Sequence, residues 1–552
     1  YALGAILYEM LTFRPPIDGD ESSTPLSLQL MRIALGRFPP PSRRVPGLFV
    51  PEELDAICLK ALAVEKDARF PDARSLARAI EGYLEGTRRK EEAECLAARG
   101  LQLSEEYRAL FGALHDARRA VQTAAERTAR WASPEEKSLL WALEDNIAEI
   151  ERRRVFTFAE AVRAFHEALG YDRESVVSRA GLVDIYWARF EEAERGHQRE
   201  AMIYYERLVR QYDNGALAGK LEGNGRLEMT SDPIGLDAWL FTYKEEQRRL
   251  VTGDGRRIGR TPLEVDPLPM GRYLLVLHRP GFPEVRYPVW IRRQQTWIGH
   301  LELDRTLLGY EWVFVAAGPC ILGGDPEAPG HLERTEIDLP GFAVGRFPVN
   351  CGAWCDYLNE LTEEEAHHRV PRRLQGSQEQ IPCWGRGHDG RYFVPRRDQI
   401  GERWDAEMAI TCISWEDAMA YARWYSRVKK ATFRLPSEME WEKAARGVDG
   451  RLFPWGDHFD PSFCKMAESR PGMSQPEVIG TFPVDESPYG VRDMAGGMSE
   501  WVNGFFDDQN LLMTVKGGGW NSSAERCRPA ARAGSPPRVP TPGVTFRLVR
   551  VL

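Results

Sequence analysis

The sequence predicts a multidomain protein: an α-helical N-terminal region, an α-helical linker, a small β-sandwich and a C-terminal, loop-rich α+β domain. Three observations carry this. The chain has 552 residues, more than one core supports, and such a length suggests about three or four domains. Apolar residues recur at helical spacing through the first two regions and then give way to turn-punctuated strands. Ten of the sixteen tryptophans lie between Trp312 and Trp520, which marks the C-terminal half as a different kind of domain. Composition excludes some classes. The net charge of −9 argues against nucleic-acid binding, which favours basic domains. No apolar run approaches the roughly 18–20 residues needed to cross a bilayer. No signal peptide is visible, and the start at Tyr1 rather than Met implies an upstream portion. Nine scattered cysteines do not form a disulfide framework, so a reducing cytoplasm is expected.

In residues 1–86, Leu3, Ile6, Leu7 and Met10 recur at helical spacing, and Pro15-Pro16 ends the pattern. Leu54, Ile57, Cys58 and Leu62 mark a second helix, and Leu76, Ile80, Tyr83 and Leu84 a third. The stretches YALGAILYEMLTFRPP, PEELDAICLKAL and KDARFPDARSLARAIEGYL, in this order, resemble the end of a bacterial Ser/Thr protein kinase C-lobe. The resemblance implies a kinase parent using ATP and magnesium. The Gly-rich loop, strand lysine, catalytic Asp and DFG Asp that this chemistry needs would lie upstream, so this chain alone is not expected to transfer phosphate. Arg69 matches the family's late arginine, whose acidic partner would also lie upstream.

Residues 87–225 read as a coiled-coil or tetratricopeptide-like helical linker. Tyr107, Leu114 and Val121 are seven apart, as are Leu110, Ala117 and Ala124, a short heptad pattern. Ser133-Pro134-Glu135-Glu136 gives an N-cap, a first-turn proline and a capping-box Glu. AEAVRAFHEAL and AMIYYERLVRQYD follow as loose helix pairs. His166 and His197 read as solvated helix residues. Two roles stay open: a partner-docking or dimerising stalk, and a passive spacer.

Residues 226–305 read as the β-domain. Turns fall at Asp254-Gly255, Pro269 and Gly271, and Tyr273, Leu275 and Leu277 alternate with Leu274, Val276 and His278 as in a strand. The TPLEV, GRY and PGF stretches resemble the PEGA domain, a small β-sandwich found beside bacterial kinases, which implies a structural or interaction role. His278 is expected to pack within its strand.

Residues 306–552 carry FRLPSEMEWEKAARG, with N-cap Ser437, capping-box Glu440 and terminating Gly447. FPWGD, SPYGVRDMAGGMSEW, VKGGGWN and TFRLVR follow as Gly- and Trp-rich segments. The domain is long enough for its own core and is expected to fold alone. The motif order, from WVFVAAGPCILGGD through ITCISWEDAMAYARWYS to GVTFRLVR, resembles the formylglycine-generating enzyme, or sulfatase-modifying factor, family. That resemblance implies a C-type-lectin-like fold. Active members oxidise a cysteine of a C-x-P-x-R peptide with oxygen and copper, held by two cysteines five apart before an A-A-R segment. Aligned on Ala530-Ala531-Arg532, those positions here are Ala524 and Pro529, which offer no soft ligand for Cu(I). Cys527 lies between them and reads as a buried structural thiol.

The resemblance also implies a calcium site at D-M-x-G-N-x-x-E-W. This chain reads DMAGGMSEW, keeping Glu500 but placing Gly497 at the asparagine, so one side-chain oxygen is lost from a set that needs about six to eight. Calcium remains a candidate through backbone carbonyls. By resemblance, Trp520, Asn521, Ser523, Arg528 and Arg532 would line a groove for a protein or peptide ligand; structurally, Trp520 could be core and Arg532 a buried ion-pair member. No catalytic residue and no metal ligand is assigned. Cys351 and Cys355 read as a packed helix start, His367-His368 diverge on a helix, and the VPRR stretches at 370–373 and 394–397 read as solvated loop charges. The related iron-dependent sulfoxide synthases would need a histidine-bearing partner domain, which is not evident here. Three functions follow: a ligand-binding or sensory module, a kinase in the full-length parent, and an active cysteine oxidase, the last disfavoured by the missing cysteine pair.

Overall fold

The computed structural model describes residues 1–17, 27, 31, 35–36, 39–45, 47–129, 131–196, 198–303, 309–375, 379–472, 474–507, 509 and 511–551. They form two compact units, Tyr1–Leu221 and Glu222–Leu552.

In the first unit, α1 (Ala2–Thr12) packs on α2 (Glu52–Ala61). The contact is set by Gly4, where a Cβ would sit 2.8 Å from that of Ala61. This close approach turns Gly4, Tyr8 and Thr12 inward and leaves Leu3, Ile6 and Met10 exposed. The predicted helix forms, but most of its apolar stripe faces outward. Arg69 holds the turn after α2, donating from Nε to the Ala63 carbonyl at 2.6 Å and from Nη2 to that of Val64 at 3.0 Å.

Asp72 caps α3 (Ala73–Arg127) by accepting from the Ser75 amide. The boundary expected at 86/87 falls inside this helix. No proline interrupts it, and Gly82 and Gly86 face open space. The Ser133–Glu136 capping box forms as expected and starts α4 (Pro134–Tyr171). Arg118 pairs with Glu151, and Arg153 with Glu106, so α3 and α4 run antiparallel. The buried heptad residues Tyr107, Leu110, Leu114 and Ala117 thus belong to a hairpin within the chain. Helices α5 (Val176–Arg195) and α6 (Arg199–Tyr212) close the unit. The ring of Phe165 lodges against Gly100 and Gly181, where Cβ atoms would come within 2.6 and 2.2 Å of it. His166 is exposed as expected; His197 lies outside the described residues.

The second unit begins with a sandwich of strands β1 (Gly225–Asp232), β2 (Asp237–Glu246), β3 (Arg249–Thr252), β4 (Arg256–Arg260), β5 (Leu263–Leu268), β6 (Gly271–His278), β7 (Val285–Ile291) and β8 (Thr296–Glu302). One sheet runs β3-β2-β6-β7 with β4 beside β2, and the other runs β5-β1-β8. Tyr273, Leu275 and Leu277 point into the core, as their alternation predicts. His278 does not pack within the strand: it ends β6 and is exposed.

Besides two two-stranded ladders, the C-terminal part has two four-stranded sheets. One orders Phe433–Arg434, Val549–Arg550, Phe342–Gly345 and Trp312–Val315; the other orders Ala533–Ser535, Met513–Lys516, Ser499–Phe505 and Val544–Thr545. Helices α7 (Cys351–Glu360), α8 (Trp415–Lys429) and α9 (Glu438–Arg446) pack beside them. The predicted Ser437–Glu440 box caps α9, and Gly447 ends it at φ +73°. Trp354, Trp441 and Trp501 are fully buried, so aromatic bulk fills the core where regular structure is sparse.

The sandwich and the C-terminal part share an interface. Ala316 and Val448 join the sandwich core. The Leu250 amide donates to the Trp455 carbonyl at 2.8 Å. Arg272 of β6 reaches the buried Asp449 at 2.8 Å and Asp457 at 2.9 Å. A segment 306–552 made alone therefore exposes apolar area and leaves Asp449 to Arg451. It is expected to unfold at lower denaturant than 222–552, followed by tryptophan fluorescence. In the longer segment, Arg272→Ala should cost about 2–3 kcal/mol, at or below the usual range for breaking a buried pair because Arg451 still holds Asp449.

Candidate functional site

The site implied by resemblance lies where two glycine loops meet. The Gly496 amide donates to the Gly517 carbonyl at 2.6 Å, and the Trp520 amide to that of Gly497 at 2.8 Å. Gly518 sits at φ +68°, and a Cβ there would reach the Arg526 carbonyl oxygen at 2.6 Å. This close approach folds the chain into the short 3₁₀ turn Ala524–Cys527.

The five groove residues divide by environment. Asn521 and Ser523 are exposed, and Trp520 is half-buried against the main core. Arg528 is turned inward: Nη1 donates to both oxygens of Asp325 at 3.1 and 2.9 Å, and Nη2 meets Glu327. Arg532 grips Glu438 at 2.5 and 3.1 Å. Both guanidiniums are thus committed to carboxylates of the domain, as the structural reading of Arg532 foresaw. Asn521, Ser523 and the open edge of Trp520 remain the accessible members of the set.

Cys527 has a neighbour that its sequence context does not reveal. The Cys464 thiol hydrogen-bonds with it, and that contact together with burial pushes Cys464 well above its usual pKa. Both are fully buried among Phe453, Trp455, Met466 and Ala495. The residues at the family's copper positions, Ala524 and Pro529, carry no ligand atom, and the Cys464–Cys527 pair is sealed from any substrate peptide. These residues do not fit the copper arrangement. A second pair, Cys383 and Cys412, also hydrogen-bonds; that contact, helped by Arg373 and opposed by burial, holds Cys383 below its usual pKa.

Glu500 is engaged elsewhere. Its carboxylate accepts from Arg547 Nε at 2.7 Å and Nη2 at 2.6 Å, and from Trp441 Nε1 at 3.0 Å. Gly497 sits at φ +71° with open space where a Cβ would point. Among the described residues, no three His, Cys, Asp or Glu side chains converge as a metal set. A calcium site built on Glu500 does not fit these residues.

Other charged groups also differ from expectation. Asp485 is fully buried beside Asp493, and burial first, then that neighbour, pushes its carboxyl well above the carboxylate range. Its Oδ1 has no hydrogen-bond partner among the described residues. The first VPRR stretch is not solvated: Arg372 reaches Asp417 at 3.3 Å, and Arg373 meets Asp398 and Glu402. Arg396 and Arg397 of the second are exposed, as are His367 and His368. Cys351 and Cys355 are packed, donating to the Ala409 and Tyr392 carbonyls at 3.8 and 3.2 Å.

Residues 302–552 match the family described as Sulfatase-modifying factor enzyme 1-like domain, and residues 248–306 match the PEGA domain. The chain thus carries these two domains behind a helical region. Among curated proteins, it is 27% identical over 259 residues to the inactive Cα-formylglycine-generating enzyme 2 of Bos taurus, covering 41% of this chain and 81% of that one. It is 28% identical to a hercynine oxygenase of Mycolicibacterium smegmatis, over 35% of this chain and 45% of the relative. It is 26% identical to the serine/threonine-protein kinase Pkn1 of Chlamydia trachomatis, over 40% of this chain and 35% of the relative.

Brief alkylation of the native chain with a maleimide, mapped by mass spectrometry, should label the exposed Cys95 first and leave Cys464 and Cys527 unlabelled until unfolding. For Asp485, the raised folded-state pKa means that its contribution to stability is fully present below the unfolded carboxylate pKa and is lost as pH rises through the folded one. Asp485→Asn, which carries no charge to bury, should therefore stabilise the chain at pH 7. The gain should be smaller at pH 5, read from denaturation midpoints.

Proposed function

We propose that the chain is the C-terminal portion of a bacterial Ser/Thr protein kinase-type signalling protein whose sulfatase-modifying-factor-like domain binds a protein or peptide ligand instead of oxidising one. One observation carries this reading: the family's two copper-cysteine positions are Ala524 and Pro529, while Cys527 is sealed against Cys464 in an apolar core. The name "inactive" of the Bos taurus relative is consistent with a domain kept for binding. Asn521, Ser523 and Trp520 form the proposed contact surface, with Arg528 and Arg532 holding it from behind. The reading gives residues 306–552 a C-type-lectin-like fold, residues 1–86 descent from a kinase C-lobe, the helical linker a docking or dimerising role, and the protein a cytoplasmic location without a resident metal in this chain.

A second reading, kinase activity in the full-length parent with ATP and magnesium, is favoured by the match to Pkn1. It places the chemistry outside this chain and leaves the binding role intact.

The test is an aldehyde assay. The purified chain, loaded with Cu(I) and given a C-x-P-x-R peptide in air, should yield no aldehyde above background by hydrazide capture. An aldehyde product would overturn the binding reading. In the double variant Ala524→Cys with Pro529→Cys, copper binding should appear, because paired thiolates select soft Cu(I).

A further inference from the structure

A cleft of about 260 Å³ lies where the sandwich meets the C-terminal part. Its walls come from β2, β3 and β7 on one side and from the segments around 451–455 and 483–488 on the other. That volume is just under the ~300–1,000 Å³ of sites for drug-sized molecules and suits a small ligand. Tyr243, Arg249, Arg286, Arg451, Glu486 and Ser487 supply its polar lining.

The charges do not balance. Arg451 is neutralised by Asp449, which it grips at 3.0 Å through both Nε and Nη2. Glu486 is the carboxylate of the lining, and it serves several cations. Arg286 donates to it at 2.5 Å, and Arg492 stands 3.8 Å from its other oxygen. Arg346 lies near the same group; burial lowers its pKa, Tyr310 and Glu486 oppose that, and the charges of Arg286 and Arg492 add to the lowering. Arg249 makes no ion pair among the described residues; its Nη2 reaches only the Gln247 side chain, at 3.4 Å. The Nε groups of Arg249 and Arg286 and the Tyr243 hydroxyl also have no hydrogen-bond partner there. Buried donors without partners are costly, and guanidinium forks match oxyanions with several acceptor oxygens.

We propose that this cleft binds a phosphate-sized tetrahedral oxyanion between Arg249, Arg286 and the Tyr243 hydroxyl. The anion would offset the excess of guanidinium charge on the sandwich wall of the cleft. It arrives either as free phosphate or as a phosphate monoester.

The full chain is titrated calorimetrically with inorganic phosphate, with chloride replaced to hold ionic strength constant. One saturable site is expected. Arg249→Gln should weaken it at least about tenfold, as loss of a charge-assisted contact implies, and Arg538→Gln, a change at an exposed cation elsewhere, should leave it unchanged. Tyr243→Phe keeps the wall and removes only the hydroxyl, so it should weaken binding severalfold even if the arginine variant misfolds; near-ultraviolet circular dichroism in chloride checks the fold. A parallel titration with O-phosphoserine identifies the source: tighter binding than phosphate marks the ester, weaker binding the free ion. No saturable binding, equal binding in the folded Arg249→Gln and Tyr243→Phe variants, or equal loss in Arg538→Gln would overturn the proposal.

Discussion

The C-terminal domain is organised around the buried pair Glu500–Arg547. Arg547 is fully buried and bonds both oxygens of Glu500. It also donates to the carbonyls of Gly345, Arg346, Arg492 and Asp493. One guanidinium thus joins the segment just before the last strand to three others. Buried carbonyls need partners, and in a domain with short strands a side chain must supply what a sheet would otherwise provide. Removing one member of such a pair leaves an unmatched buried charge, at about 3–5 kcal/mol.

The same device recurs nearby. Glu442 takes the Gly323 amide at 2.7 Å, Arg446 at 2.7 Å and Lys516 at 3.0 Å. Burial alone would raise its carboxyl, but Lys516 and Arg446 outweigh that and lower it. The punctuated motifs of this half of the chain are therefore largely wiring. RLPSEMEW supplies Glu438 and Glu440, VKGGGW supplies Lys516, and TFRLVR supplies Arg547. This wiring also explains why two of the arginines expected to face a ligand are turned inward, and why Glu500 has no free oxygen for a metal.

The thiol pair follows from a different constraint. Cys464 and Cys527 are small, apolar and adjacent inside an aromatic pocket, where neutral thiols are stable and thiolates are not. A catalytic copper site needs the opposite: deprotonated sulfur within reach of a substrate. Local environment thus agrees with the missing residues at 524 and 529, and neither fits a copper–thiolate oxidation. The junction with the sandwich has the reverse character. There guanidiniums outnumber carboxylates and a cleft remains, which makes it a place for an added anion.

Much was legible in the sequence. Local chemistry determined the helix starts, because Ser133–Glu136 and Ser437–Glu440 satisfy end amides within one turn. It determined the inward face of β6, because strand geometry alternates every residue. It also fixed the absence of thiols at 524 and 529, which is a matter of residue identity alone. Tertiary structure decided what depends on partners distant in the chain. The outward stripe of α1 follows from Gly4 meeting Ala61, the use of the heptad within one chain from α4 folding back on α3, and the Cys464–Cys527 contact from the closure of a long loop. The inward turn of Arg528 and Arg532 needed Asp325 and Glu438, about 200 and 94 residues away. Spacing records which residues share a face of one element; it does not record which carboxylate another segment will bring beside it.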